Sequence, residues 1–234
     1  MQRLRKGLYL LESGGFVNAY LIEGPRGLTL VDTGHPRAAE KLVEEIALGG
    51  FSLKEIDQIL VTHSHFDHAG GASYLLTKNR IKVFAHPDDI PAIQGKPLAR
   101  PFNVSRWVSA LVQRWWFPYR PLEVVVPLRQ SETLRALPQW QVLHTPGHTP
   151  GSLSLYQPTD YTLICGDALS NRGEKLALSP GEYNDDNALA AKSVRRLSEI
   201  PCEMLCCGHG PVIRTGAGQL IHKVAESLKK EKPS

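Results

Sequence analysis

Apolar residues recur in short runs along the first 85 residues, and their spacing predicts strands and helices in alternation. Three apolar segments separated by glycine-containing turns predict a β-meander over 7–11, 17–22 and 28–31. Residues 37–48 carry apolar side chains at helical spacing and predict an amphipathic helix. A strand over 56–61, a helix over 72–77 and a strand over 81–85 are predicted to follow.

The second half of the chain repeats this alternation. Strands are predicted at 122–126, 140–144, 152–156, 161–165 and 204–207, and helices at 187–200 and 218–229. Strand clusters with helices between and after them are typical of a layered α/β fold. Residues 87–120 interrupt the pattern, because tryptophans and arginines are mixed there between prolines. We expect a helical aromatic and basic insertion at about 87–120.

Length and composition indicate one globular domain. The 234 residues suffice for a single α/β core, so we predict one domain over 1–234. No apolar run reaches the roughly 18 residues that cross a bilayer, and the basic N-terminus lacks the features of a signal peptide. We therefore expect a cytoplasmic protein without stable membrane insertion.

Charge and cysteine content narrow the function further. A formal net charge of +4 is too small to indicate a nucleic-acid partner. The four cysteines lack the spacing of a disulfide framework and lie in or beside apolar runs, so we expect buried thiols.

The candidate chemistry begins where the strand over 56–61 ends. Four metal-ligand side chains fall within six residues there: His63, His65, Asp67 and His68. Three more ligand-type residues follow later predicted strands, each beside glycine: His148, Asp167 and His209. Imidazole and carboxylate suit zinc and similar metals. Five histidines and two aspartates are enough ligands for two metal ions that share one carboxylate.

On five motifs in a fixed order, the chain resembles metallo-β-lactamase-fold hydrolases. The motifs are Val31-Asp32-Thr33-Gly34, the HxHxDH run at 63–68, His148 in Pro-Gly-His-Thr-Pro-Gly, Gly166-Asp167 and Gly208-His209-Gly210. The resemblance implies an α/β fold, an αββα four-layer sandwich of two mixed β-sheets flanked by helices. In length the chain is similar to glyoxalase II-like thioesterases and lactonases. The common β-lactamases usually lack a histidine at the position of His68, which disfavours that activity.

The resemblance also implies a ligand assignment. His63, His65 and His148 would hold one metal, Asp67, His68 and His209 the second, and Asp167 would bridge them. Asp32 would support the site through hydrogen bonds. The expected cofactors are two divalent ions, zinc first, with iron or manganese as alternatives for the same ligands.

The implied activity is dinuclear metal-dependent hydrolysis. A metal-bridging hydroxide would attack the carbonyl of a small ester, thioester or lactone. Asp67 is the candidate catalytic residue, since it is placed to orient the nucleophile and accept its proton, although ligation alone would explain it equally well. The expected partner is a small-molecule substrate.

Three points stay open at this stage. A mononuclear iron persulfide dioxygenase, with iron on the residues matching His63, His148 and Asp167, is the alternative enzyme on the same scaffold. A non-catalytic binding module is disfavoured by the intact ligand set. The segment at 87–120 is interpreted as a lid over the site or as the surface of a homodimer.

Overall fold

A computed structural model describes residues 1–96, 120–173 and 175–230. The strands are β1 (Gln2–Arg5), β2 (Leu8–Leu11), β3 (Ala19–Gly24), β4 (Gly27–Val31), β5 (Ile56–Leu60), β6 (Lys82–Ala85), β7 (Val126–Pro127), β8 (Gln141–His144), β9 (Leu153–Gln157), β10 (Thr162–Gly166), β11 (Leu169–Arg172), β12 (Lys175–Leu178) and β13 (Met204–Cys207). The α-helices are α1 (Ala39–Leu48), α2 (Phe66–Ala69), α3 (Ala72–Lys78), α4 (Ile90–Ile93), α5 (Asn187–Leu197) and α6 (Ala217–Lys230). Short 3-10 turns lie at Pro36–Ala38, Leu53–Glu55 and Gly181–Tyr183.

The strands form two mixed sheets and a separate hairpin. The first sheet contains β1 to β7 in sequence order, antiparallel from β1 to β4 and parallel from β4 to β7. The second sheet has the order β13-β10-β9-β8, in which only β10 and β13 pair in parallel. β11 and β12 form the hairpin. The expectation of two mixed sheets is confirmed.

Three apolar cores separate four layers. The first core joins the outer face of the first sheet to α1 and α3. The second lies between the two sheets, and the third joins the second sheet to α5 and α6. The αββα sandwich follows directly from this order.

β3 shows how the sequence produces these layers. Consecutive residues of a strand point to opposite faces. Leu21 belongs to the core beneath α1, whereas Tyr20 and Ile22 belong to the core between the sheets. All three are buried, because both faces of the sheet are covered. The apolar face predicted for α1 is also buried: Leu42 and Ile46 pack in the core between the helix and the first sheet.

Most predicted elements are present with ends shifted by one to three residues. The predicted strand at 122–126 is wrong, because only Val126 and Pro127 pair with β6. The insertion predicted at about 87–120 stays a prediction: α4 lies at its start, and residues 97–119 lie outside the described residues. The cysteines are buried free thiols, as expected. In the described part of the chain, no helix has the length and apolarity to cross a bilayer.

Candidate metal centre

The seven candidate ligands meet at one edge of the sandwich. His63 and His65 lie in the loop after β5, and Asp67 and His68 lie in α2. The other three follow strands of the second sheet: His148 lies between β8 and β9, Asp167 directly after β10 and His209 after β13. The structure therefore brings all seven predicted residues together. Two of its groups, His63–His65–His148 and Asp67–His68–His209, have ligand atoms within 4.8 Å of one another.

Three imidazole nitrogens converge in the first group. His65 Nδ1 lies 3.2 Å from His63 Nε2 and 3.0 Å from His148 Nε2. At these distances lone pairs face one another unless a proton or a cation lies between them. Three imidazole nitrogens gathered this closely can hold one metal ion.

Asp167 lies between the two groups. Its Oδ2 is 3.5 Å from His148 Nε2 in the first group and 3.2 Å from His209 Nε2 in the second. Its Oδ1 is 3.4 Å from His68 Nε2. His209 Nε2 is also 3.6 Å from Asp67 Oδ2. One carboxylate is thus in position to serve both groups.

Outward hydrogen bonds fix which nitrogen of each imidazole faces the centre. In three histidines Nδ1–H donates to an acceptor outside the centre: His68 to Asp32 Oδ2 at 2.7 Å, His148 to Asn184 Oδ1 at 2.9 Å and His209 to the carbonyl of Phe16 at 2.9 Å. Because Nδ1 carries the hydrogen, the lone pair is left on Nε2, which faces the neighbouring ligands. Such outer partners are typical of metal-binding histidines.

Asp32, the acceptor for His68, has an uncommon backbone conformation. Its φ is +59°, in the left-handed region that few residues other than glycine adopt. The backbone N–H and the hydroxyl of Thr62 both donate to its carboxylate at 2.7 Å. With His68 as the third donor, Asp32 orients a ligand from outside the centre.

The centre is strongly coupled electrostatically. Burial lowers the pKa of His63 well below its usual value, and the imidazoles of His68 and His148 lower it further. Burial also opposes protonation of His68, but the carboxylates of Asp167 and Asp32 outweigh it and raise the pKa of His68 to about 10. Burial would raise the pKa of Asp167, yet the neighbouring histidines, His68 foremost, hold it below its usual range. The carboxylates of Asp167 and Asp32 thus favour positive charge at the position of His68.

Two buried atoms in the centre test whether these residues fit a metal ion. His68 Nε2 and Asp167 Oδ1 lie 3.4 Å apart, yet neither makes a hydrogen bond to any described residue. Buried polar atoms are normally satisfied. Imidazole nitrogen and carboxylate oxygen are ligands for divalent transition metals. The residues therefore fit metal ions.

The turn that carries His209 is held by the first sheet. The side-chain amide of Asn18 donates to the carbonyls of Cys207 and Gly210 at 3.0 and 2.7 Å. The Phe16 carbonyl, from the same loop before β3, accepts from His209. The loop between β2 and β3 thus positions a ligand close to the far end of the sequence.

A second histidine group lies outside the centre. His86 and His144 stack face to face, with ring centroids 4.0 Å apart and an interplanar angle of 8°, and Asp88 lies 3.5 Å from His86. Imidazole binds a metal in the plane of its ring, so two parallel stacked rings do not share an ion. His144 instead donates from Nε2 to the carbonyl of Pro150 at 2.9 Å. His144 therefore packs against His86 and forms a hydrogen bond, and it lies outside the centre.

Sequence reasoning singled out neither Asn184 nor Asp89, whose carboxylate accepts from Ser64 and Thr149 beside the candidate ligands. Asn184 accepts from His148, and its amide N–H donates to the carbonyl of Ser179. The candidate ligands were recognised by their position after a strand and beside a glycine. Neither Asp89 nor Asn184 has such a position. Their contacts arise only when separate loops are packed together.

Comparison with known proteins identifies the family. A family model described as the metallo-beta-lactamase superfamily matches residues 13–209. The chain belongs to the metallo-beta-lactamase superfamily. The matched range contains all seven candidate ligands.

Several relatives of this chain have names that describe them as hydrolases. The "Probable metallo-hydrolase YflN" of Bacillus subtilis is 32% identical over 216 residues, which cover 82% of this chain and 80% of the relative. A hydroxyacylglutathione hydrolase of Nitrosococcus oceani is 30% identical over 148 residues, covering 63% of this chain and 45% of that protein. The superfamily protein is a metal-dependent hydrolase.

Solved structures have the same fold. The metallo-beta-lactamase family protein TTHA1429 from Thermus thermophilus matches with a TM-score of 0.72 and 26% identity, over 97% of this chain and 79% of that one. TTHA1623, solved in a di-iron-bound form, matches with a TM-score of 0.67 and 32% identity, over 89% of this chain and 93% of that one. The αββα fold is confirmed.

Proposed function

We propose that the seven residues form a dinuclear metal centre that hydrolyses a small ester, thioester or lactone. His63, His65 and His148 hold one ion, Asp67, His68 and His209 hold the other, and Asp167 bridges them. The position of Asp167 carries the proposal, since its carboxylate oxygens lie 3.2 to 3.5 Å from histidines of both groups. Zinc is the expected metal, with iron or manganese as alternatives.

Residues of the chain also position the nucleophile and the substrate. Metal ions held by the seven residues would supply hydroxide at neutral pH, since coordination lowers the pKa of water to about 7, and would polarise a substrate carbonyl. Asp67 is almost buried beside His209 and is placed to orient the nucleophile and accept its proton. Phe16 stacks on His209 and is 56% exposed, which gives the centre an apolar wall for the substrate.

The substrate class rests on the relatives and on this wall. Hydroxyacylglutathione hydrolases among the relatives support thioester or ester hydrolysis. A small-molecule substrate suits the apolar side chain beside the polar centre. The cytoplasmic location, the homodimer and the lid at about 87–120 remain predictions.

Elemental analysis of the purified protein tests the centre. We expect two divalent ions per chain and turnover on a panel of lactones, thioesters and esters. His63→Ala removes one ligand and is expected to lose metal and turnover together. His222→Ala is the matched control, because the His222 side chain is 64% exposed and lies on α6.

Two results would contradict the proposal. A His63→Ala protein with full activity excludes the centre as the site of reaction. One iron per chain, with oxygen uptake on glutathione persulfide and no hydrolysis, assigns the protein to the dioxygenases instead.

A further inference from the structure

Asp89 is a fully buried aspartate outside the proposed ligand set. Its Oδ2 accepts from the backbone N–H of Ser64 and from the hydroxyl of Thr149, both at 2.7 Å. Its Oδ1 accepts from the backbone N–H of Gly151 at 2.9 Å. Ser64 lies between two of the proposed ligands, and Thr149 directly follows a third. One carboxylate therefore joins the two loops that hold the first metal.

The local structure gives Asp89 no other role. It occupies the residue before α4, where an aspartate commonly accepts from the first backbone N–H groups of a helix. Its side chain makes no such capping bond. Both oxygens point instead toward the loops after β5 and before β9.

The turn after His148 is shaped to meet this carboxylate. A Cβ on Gly151 would lie 2.7 Å from Asp89 Cγ and 2.8 Å from its Cβ. Only glycine allows the backbone to come this close. The contact therefore depends on the carboxylate in one segment and on the glycine in the other.

We propose that Asp89 is a positioning residue for the metal ion held by His63, His65 and His148. Its three hydrogen bonds hold the loop with the first two histidines against the turn with the third. The inference rests on the proposed function, because it requires a metal at this group. Asp32 supports the second group by a direct hydrogen bond from His68, whereas Asp89 acts through the backbone and Thr149 of the two loops.

The chemistry of the contact requires a carboxylate. Three donors meet two oxygens, and each oxygen accepts from one backbone N–H. In Asp89→Asn an NH₂ group replaces one of the two oxygens. In either orientation of the amide, this donor faces a backbone N–H, of Ser64 or of Gly151, and the hydrogen bond is lost. The variant keeps the volume of the side chain but loses acceptors and charge.

Titration of the metal-free protein with Co²⁺ tests this role, followed by calorimetry and by the visible absorption of bound cobalt. We expect two classes of site in the wild type. Asp89→Asn weakens one class by about 10- to 100-fold, the usual effect of losing such a support, and leaves the other unchanged. The weakened class is the one that His65→Ala removes, whereas Asp32→Asn weakens the other class.

Asp88→Asn is the matched control. It makes the same chemical change one residue earlier, at a side chain that is 55% exposed, and both cobalt classes are expected to be unchanged. Circular dichroism of each metal-free variant establishes that it folds. Thr149→Val removes one donor and no ligand, so it is expected to weaken the same class by a smaller factor, and it serves as the test if Asp89→Asn does not fold.

The outcomes separate this inference from the proposed function. A wild type that binds two ions, with Asp89→Asn weakening both classes equally or neither, overturns the role of Asp89 alone. Unchanged cobalt binding by Thr149→Val counts against it as well. A wild type that binds no metal overturns the proposed function and the inference together.

Discussion

Gly208 lies between two of the proposed ligands and has no room for a side chain. A Cβ there would lie 2.2 Å from Asp167 Oδ1 and 2.6 Å from His68 Cε1. Gly208→Ala must displace one of these ligands, because contacts below 3 Å are not tolerated. We expect a loss of metal affinity of at least about 10-fold, comparable to the loss of an outer hydrogen bond. Metal titration of the purified variant measures it.

Gly173→Ala is the control for this change. Gly173, unlike Gly208, has a positive φ of +61°, but a Cβ there would meet no atom within 4 Å. We expect a destabilisation of about 1 kcal/mol from the left-handed conformation, and unchanged metal affinity. Equal metal affinities in the two variants would show that Gly208 is not needed for the ligand geometry.

At the residue scale, the candidate ligands and one support, Asp32, could be predicted, whereas Asp89 and Asn184 could not. His148, Asp167 and His209 each follow a strand beside glycine, and this local signal is readable in the sequence. Asp89 and Asn184 act through contacts with residues 25 to 62 and 36 positions away in the chain, respectively. Such contacts depend on how loops pack, which no local pattern encodes.

At the element scale, His86 and His144 join the two sheets. His86 directly follows β6 in the first sheet, and His144 ends β8 in the second. Burial lowers the pKa of His86, and His144 and Arg129 lower it further, while Asp88 and Asp89 act in the opposite direction. The folded protein therefore binds this proton less readily than the unfolded chain does.

This pair predicts that stability decreases in acid. Below about pH 6.5, the unfolded imidazole gains a proton before the folded one does, so the free energy of unfolding falls as the pH falls. His86→Gln cannot be protonated and is expected to have a smaller pH slope, although it loses the stacking contact. Urea unfolding of both metal-free proteins at about pH 7.5 and about pH 5.5 measures the slopes. Identical slopes would assign the acid sensitivity to other groups.

A clear burial pattern predicted several elements but not all, since β11 was missed although three of its four residues are buried. α1 has buried residues on one face, and β13 is buried throughout, so both were predictable. β1 was missed, because its sequence QRLR has only one fully buried residue. β12 was missed for the same reason, since it pairs only with β11 and is half-exposed. These strands are specified by their partners more than by their own sequence.

At the scale of the whole molecule, the proposed metals link the two sheets. Ligands from the loop after β5 meet ligands that follow β10 and β13. A ligand that binds only the folded state stabilises it, by about 4 kcal/mol when its free concentration is about 1,000 times its Kd. We therefore expect a chelator to lower the unfolding midpoint and added zinc to restore it. Mg²⁺ is expected to restore less, because it prefers oxygen ligands.

Asp167→Asn provides the control for this stabilisation. It removes the shared carboxylate, so its unfolding midpoint is expected to respond little to chelator or to zinc. Thermal unfolding followed by circular dichroism gives both responses. A wild-type midpoint that is unchanged after metal loss has been verified by elemental analysis would contradict the link between the sheets.

The loop before β3 binds the His209 turn, and this contact has a consequence for folding during synthesis of the chain. The Phe16 carbonyl and the His209 imidazole that it binds are 193 residues apart in sequence. Ribosomes add about 5 to 20 residues per second, so on the order of ten seconds separate synthesis of the first histidine motif from that of His209. Metal taken up by the nascent chain in this interval is held by an incomplete set of ligands. The proposed centre would therefore be complete only in a chain in which the loop before β3 and the His209 turn have both been synthesised and packed together.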